Sequence, residues 1–372
     1  MNIYDYIKWR GDIPMSQSPF NELDSLILTQ LPYINWENII TGKPVTLGDA
    51  FNMLNSDDFV REIERERYVL AGQASQSIRF KDIRIIDYTK ILSREQELQF
   101  CAMFFQLPDR TYYIAYEGTE NSLIGWKENF NMTYMCPTSG QKAALDYLNA
   151  RMNALRSFRL GGHSKGGNLA FYAAVKSSWP SKIIEAHSFD GPGFSKEFIS
   201  TLEYMEMHER LKTWIPESSV IGRLLNNITD TTIVKCSTET MLYQHDVINW
   251  EVDFNKLYAI SENTRRSGFM EDVFDDWNER LSTEEKIVFI NTTYETLIEL
   301  GYTTPKDILT HPTRVMMEMT SRFMQFSPAA RSIVLNVLGL LLKSNVKSFY
   351  NNYLDSLLKR RNEVKDENTG IK

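Results

Sequence analysis

The chain has 372 residues, 41 of them basic and 48 acidic, for a net charge of −7, and it is 42% hydrophobic and 12% aromatic. That apolar content is ample for the buried core of one large or two ordinary domains, and no basic run is long enough to track a phosphate backbone, so nucleic acid is not an expected partner. Residues 1–11 mix acidic, basic and aromatic groups without the apolar core of a secretory signal, and Cys101, Cys136 and Cys236 lie far apart with no C-x-x-C pair. Neither a disulfide framework nor a thiolate zinc site is expected, and a reducing cytoplasm fits best.

Strand and helix patterns alternate through the first two thirds of the chain, the mark of a mixed α/β layer architecture. Residues 78–87, 98–105 and 111–116 read as successive strands, the last two joined by the turn 108–110, which makes the first part of the sheet antiparallel. Residues 140–155 carry the i, i+3, i+4 period of an amphipathic helix and lead into a short strand at 157–160, a crossover that fits parallel pairing. A second helix is expected at 168–175. Strands follow at 182–189, 211–215 and 231–236, the first ending in the turn Asp190-Gly191-Pro192-Gly193.

From about Gly268 the pattern changes, and residues 271–280, 284–300, 304–324 and 328–358 read as helices with no strand between them. The charged tail 359–372 is expected to fray. Residues 333–342 are the most apolar stretch, yet they are about half of the ~20 residues that cross a bilayer. They read as a buried helix, with a membrane-surface helix, and so a peripheral membrane contact, as the alternative. No transmembrane segment is expected.

Between the strand at 157–160 and the helix at 168–175 stands Gly162-His163-Ser164-Lys165-Gly166, the layout of a nucleophile elbow. A serine hydroxyl can attack only if it projects from a sharp, strained strand-to-helix turn, where side chains at positions 162 and 166 would collide with neighbouring backbone. The expected fold is therefore an α/β-hydrolase with a mostly parallel central sheet flanked by helices over residues 1–267, plus a helical C-terminal region over 268–372.

Ser164 needs a base to take its proton. His163 sits inside the elbow, His187 in a strand, His208 after a charged helical stretch and His311 in the helical region, which leaves His245 in the loop after the last strand. The acid expected behind it is Asp190, at the end of the strand that follows the elbow helix, with Glu217 as its rival and Asp246, adjacent to the base, ranked last. The oxyanion of the transition state would be held by the backbone N–H of Lys165 and that of Thr119, in the turn after the strand at 111–116, where Gly118 permits close approach. No metal or organic cofactor is required by such chemistry.

Together, the motifs Ile114–Glu120 and Gly125–Glu128, the elbow 162–168, the segment Phe189–Phe194, Gln244-His245-Asp246 and the early stretch 19–27 resemble the bacterial Mbeg-like proteins, a lipase-related group of α/β-hydrolases. The likeness runs from the N-terminus to about Trp250. More distantly the chain is similar to the class-3, fungal-type lipases, in which a strand ending in Phe-Arg-Gly-Thr supplies the oxyanion hole. Glu117 stands here in place of that arginine, while Gly118 and Thr119 match. The class-3 pattern implies an aspartate after the strand at 211–215, where this chain has Pro216-Glu217-Ser218-Ser219; an acid at the position of Asp190 is instead that of the pancreatic-type lipases. The resemblance implies a serine hydrolase acting on carboxylic esters, with a small-molecule or lipid acyl ester as substrate; a protein that keeps the fold but works as a binding module is the alternative. The segment 316–324, rich in methionine, reads as plain core or as a cover for an acyl pocket.

Overall fold

The computed structural model describes residues 1–54, 62–120, 122–261, 281–304, 307, 312–323, 328 and 331. The chain divides into two compact units, one of residues 1–120 and 124–271, the other of residues 121–123 and 272–372.

The first unit holds the strands β1 (Val45–Thr46), β2 (Arg84–Ser93), β3 (Leu98–Gln106), β4 (Tyr112–Tyr116), β5 (Phe158–His163), β6 (Ile183–Phe189), β7 (Leu211–Pro216), β8 (Thr231–Val234), β9 (Val252–Asp253), β10 (Lys256–Leu257) and β11 (Ala259–Ile260). One sheet runs in the order β1-β2-β3-β4-β5-β6-β7-β8-β11, and β9 pairs with β10 as a separate ribbon. From β4 to β8 each pairing is parallel, whereas β1 to β4 pair antiparallel, as does β8 with β11. The sheet is thus mixed, and the expectation of a mostly parallel sheet is corrected. The reason lies in loop length: the short turns at 94–97 and 107–111 can only reverse the chain, while a parallel pairing needs a long crossover.

Three of the four crossovers carry α-helices, and the one from β7 to β8 carries only a 3-10 turn at Ile221–Arg223. The helices are α1 (Ile3–Arg10), α2 (Glu22–Leu28), α3 (Leu47–Asn52), α4 (Glu62–Gln76), α5 (Leu123–Asn131), α6 (Ser139–Asn149), α7 (Lys165–Lys176), α8 (Lys196–Ile199), α9 (Leu202–Met207) and α10 (Met241–Gln244), with a 3-10 turn at Leu31–Tyr33. Helix α6 starts on a capping box between Thr138 and Gln141, and α2 on one between Asn21 and Asp24. Helix α7 is buried from Lys165 to Val175; its small residues let it lie close against the sheet. Because side chains alternate along a strand, the sheet divides the core in two. Met103, Phe105 and Tyr113 face one cluster with Leu26, Trp36 and Trp250; Phe104, Ile114 and Leu160 face another with Leu169 and Phe198.

One expected strand is displaced. The sequence pattern placed it at 78–87, but residues 78–82 are turns and β2 begins at Arg84. Arg79 explains this: its buried guanidinium donates to the carbonyls of Ile13, Ser18 and Pro19 and pairs with the buried Asp24 carboxylate. That set of partners fixes the chain in a turn, whatever the local alternation suggests. The other expected strands fall within a few residues of β3 to β8.

In the second unit the described residues form helices at Thr283–Glu299, opened by a capping box between Ser282 and Glu285, and at Pro312–Phe323. The helix expected at 271–280, nearly all of 328–358 with its apolar stretch 333–342, and the tail 359–372 lie outside the described residues. No helix among the described residues is long and apolar enough to cross a membrane.

Candidate active site

The register of the parallel strands gathers the candidate residues. Tyr116 pairs with Gly162, His163 with Phe189 and Phe189 with Trp214, so β4, β5, β6 and β7 end level with one another. The residues that follow, Gly118–Thr119, Ser164, Asp190 and Glu217, therefore leave the sheet at one edge. Ser164 is the single residue between β5 and α7, with φ 56° and ψ −130°. A non-glycine residue with positive φ is strained, and such strain persists only where the surroundings impose it. Here they do: a Cβ on Gly162 would meet the Gly166 carbonyl carbon at 2.0 Å, and one on Gly166 the Tyr116 carbonyl oxygen at 2.2 Å. The close contact of strand and helix forces the turn at Ser164.

Three side chains form a hydrogen-bonded line. His245 follows α10, and its Nε2 lies 3.1 Å from Ser164 Oγ while its Nδ1 lies 2.6 Å from Asp190 Oδ2. Asp190 is 1% exposed and His245 31%. The other Asp190 oxygen accepts from the Gly222 N–H at 3.0 Å and from the Ser219 hydroxyl. A carboxylate held in this way presents a fixed acceptor to Nδ1–H, which leaves Nε2 with the lone pair that faces Ser164. Glu217 does not join the line: its carboxylate accepts from the Cys236 N–H at 3.1 Å. Asp246, beside His245 in sequence, turns to the buried Arg67 guanidinium at 2.7 and 3.2 Å. Burial alone would raise its carboxyl, but the charge and hydrogen bonds of Arg67 outweigh that and hold it below the usual carboxylate range.

The candidate backbone donors come from the two segments next to the serine. A Cβ on Gly118 would come within 3.2 Å of Ser164 Cβ, which sets the Gly118–Thr119 turn directly against the serine. Gln99 Nε2 donates to the Gly118 carbonyl at 3.2 Å. In a trans peptide the C=O and the following N–H point opposite ways, so the Thr119 N–H faces away from Gln99. The Thr119 hydroxyl is held by Asn129 Nδ2 at 2.8 Å. Lys165 supplies its N–H from the first turn of α7, where backbone donors have no partner within the helix. Its side chain points elsewhere, into a sealed pair with Glu128 at 2.9 Å and onto the Gln99 carbonyl at 2.6 Å.

Several site residues escaped sequence reasoning. Tyr33, Arg67 and Gln99 carry no local motif, and Glu128, although it closes the motif Gly125–Glu128, gives no sign there of its partner Lys165; each reaches the site through a contact between residues distant in sequence. His163, inside the elbow, does not join the line with Ser164, yet its Nε2 lies 2.8 Å from the His245 carbonyl oxygen and its Nδ1 3.0 Å from Tyr33 Oη. Burial, reinforced by the neighbouring His245, lowers the His163 imidazole to about 3. His208 bonds to the Met205 carbonyl, His187 lies beside Glu185, and His311 falls outside the described residues. Among the described residues no group of three or more His, Cys, Asp or Glu could hold a metal ion.

Fold and site together define a mixed α/β protein that lines up a serine, a histidine and an aspartate at the carboxyl edge of its parallel strands. The family model for Mbeg1-like proteins matches residues 74–295, more than half of the chain, and the chain belongs to the Mbeg1-like family. No curated protein matches it. Tyr33 and Arg67 lie before the matched span.

Proposed function

We propose that the protein is a serine hydrolase of lipase-like, α/β-hydrolase type that cleaves carboxylic esters. The observation that carries this reading is the line Ser164 Oγ, His245 Nε2 and Nδ1, Asp190 Oδ2, at 3.1 and 2.6 Å. As the Ser164 oxygen bonds to the ester carbonyl carbon, its proton passes to His245 Nε2, and Asp190 stabilises the resulting imidazolium. The negative charge on the former carbonyl oxygen is met by the N–H groups of Thr119 and Lys165. Collapse breaks the bond to the alcohol, which leaves with the proton from His245, and water then hydrolyses the acyl-Ser164 ester through the same base. The net reaction converts ester and water to acid and alcohol.

A binding module of the same fold is the alternative; the hydrogen bond from His245 to Asp190, at the end of β6, supports the hydrolase reading instead. The likeness to bacterial lipase-related proteins supports an apolar acyl group, and the scattered cysteines a cytoplasmic setting. Turnover of p-nitrophenyl esters of increasing chain length by the full chain, with Ser164→Ala as control, tests the reading. The expected result is hydrolysis that vanishes in the variant; equal rates in the two proteins would discard it.

A further inference from the structure

His163 and Tyr33 form a chain of hydrogen bonds whose directions can be assigned throughout. A carbonyl oxygen only accepts, so the His163 Nε2 that meets the His245 carbonyl at 2.8 Å carries a proton. The buried ring is neutral, so Nδ1 is an acceptor, and the Tyr33 hydroxyl 3.0 Å away must donate to it. The oxygen of that hydroxyl accepts in turn from the Gly118 N–H at 3.2 Å. The chain thus starts at the turn that carries Thr119 and ends on the backbone of His245. It joins the two segments that flank Ser164 in the site, the Gly118–Thr119 turn and the His245 loop.

We propose that Tyr33 and His163 are positioning residues that lock the turn bearing the oxyanion donor to the loop bearing the base, so that both keep one spacing about Ser164. The proposal rests on the reading of Ser164 as nucleophile. A purely packing role predicts that apolar replacements of similar size would serve as well, since buried polar groups exchanged for hydrophobic ones of like volume are often neutral for stability. Here the two ends of the chain matter. The His245 ring must meet Asp190 and Ser164 at once, and its backbone is anchored by the bond to His163. The Gln99 bond to the Gly118 carbonyl sets the plane of the peptide that ends in the Thr119 N–H, and the Tyr33 bond to the Gly118 N–H sets the plane of the peptide before it. Misplacement of reacting groups by about 1 Å costs on the order of a hundredfold in rate.

The test uses the full chain with Tyr33→Phe, His163→Leu and His163→Gln, measuring kcat and KM on a p-nitrophenyl ester, labelling rate with a fluorophosphonate, and melting temperature. Tyr33→Phe is expected to lower kcat by about tenfold, and His163→Leu by about a hundredfold, with KM within about twofold of wild type. His163→Gln, whose amide N–H can replace the Nε2 donor, is expected to recover about tenfold of the loss. Nitrogen-15 NMR of the wild type should show His163 as the neutral Nε2–H tautomer. Folded Tyr33→Phe and His163→Leu proteins with wild-type kcat and labelling rate, or a His163 in the Nδ1–H form, would overturn the proposal while leaving Ser164 as nucleophile. If His163→Leu fails to fold, Tyr33→Phe and the tautomer decide. A wild type inert to both ester and probe ends the nucleophile reading, and this proposal with it.

Discussion

The two sides of Ser164 are held in opposite ways. On the base side, His245 is about one third exposed and is aimed by single hydrogen bonds, to Asp190 through its ring and to His163 through its carbonyl. On the side proposed to hold the oxyanion the groups are backbone N–H groups, and beside them lies a sealed ion pair, Lys165 with Glu128, in which neither side chain is more than 1% exposed. The difference follows from the chemistry each side would perform. A base has to exchange protons with water and substrate, so its ring cannot be sealed, and its geometry is set by hydrogen bonds to the Asp190 carboxylate and to His163. A backbone donor exchanges nothing, so it can be braced by buried charge, whose cost is offset only when the pair stays intact.

Breaking the base side at its acid should have the largest effect. Asp190→Asn removes the acceptor that fixes the His245 tautomer, and kcat for ester hydrolysis is expected to fall by about 10⁴-fold with the fold intact. On the other side, Glu128→Gln leaves the Lys165 cation buried without its counter-ion, and denaturant unfolding should show a loss of about 3–5 kcal/mol. Gly118→Ala adds a methyl 2.3 Å from Tyr33 Oη and 2.7 Å from the His163 carbonyl oxygen; the turn must shift, and kcat is expected to drop by about a hundredfold. Glu217→Gln touches neither side, and its kcat should stay within about twofold of wild type, which separates it from Asp190.

The pH dependence of stability sharpens the comparison further. His163 ordinarily titrates near 6.5 and is lowered to about 3 in the folded chain, so between those values unfolding takes up a proton. The stabilisation from the neutral ring is fully present above 6.5 and is lost as pH falls toward 3, at a slope of up to about 1.4 kcal/mol per pH unit. Asp246, held low by Arg67, acts in the same direction at more acid pH. Thermal melts from pH 7 to pH 4 should therefore fall less steeply for His163→Gln than for wild type.

What could be read from the chain alone was whatever is local. The elbow glycines, the turn after β6 that bears Asp190, and the Gly118–Thr119 turn are each set by a few adjacent residues, and those were legible as candidates. Short strand-like runs likewise marked β3 to β8. Arg79 and the start of β2 were not legible, because that turn is fixed by carbonyls some sixty residues away in sequence. The same is true of the bracket around the base: Tyr33 reaches His163 across 130 positions and Arg67 reaches Asp246 across 179. A tyrosine or an arginine in a helical segment carries no signal of its partner. The parallel character of the sheet was overread because the elbow implies parallel neighbours only for its own strand, and the short turns on either side of β3 reverse the chain instead.

A nucleophilic Ser164 activated by His245 and Asp190 is open to direct test by incubating the full chain with a fluorophosphonate and mapping the adduct by mass spectrometry. One adduct per chain is expected, on Ser164, absent in Ser164→Ala and formed far more slowly in Asp190→Asn. No adduct on the wild type, or equal labelling of Ser164→Ala, would contradict it.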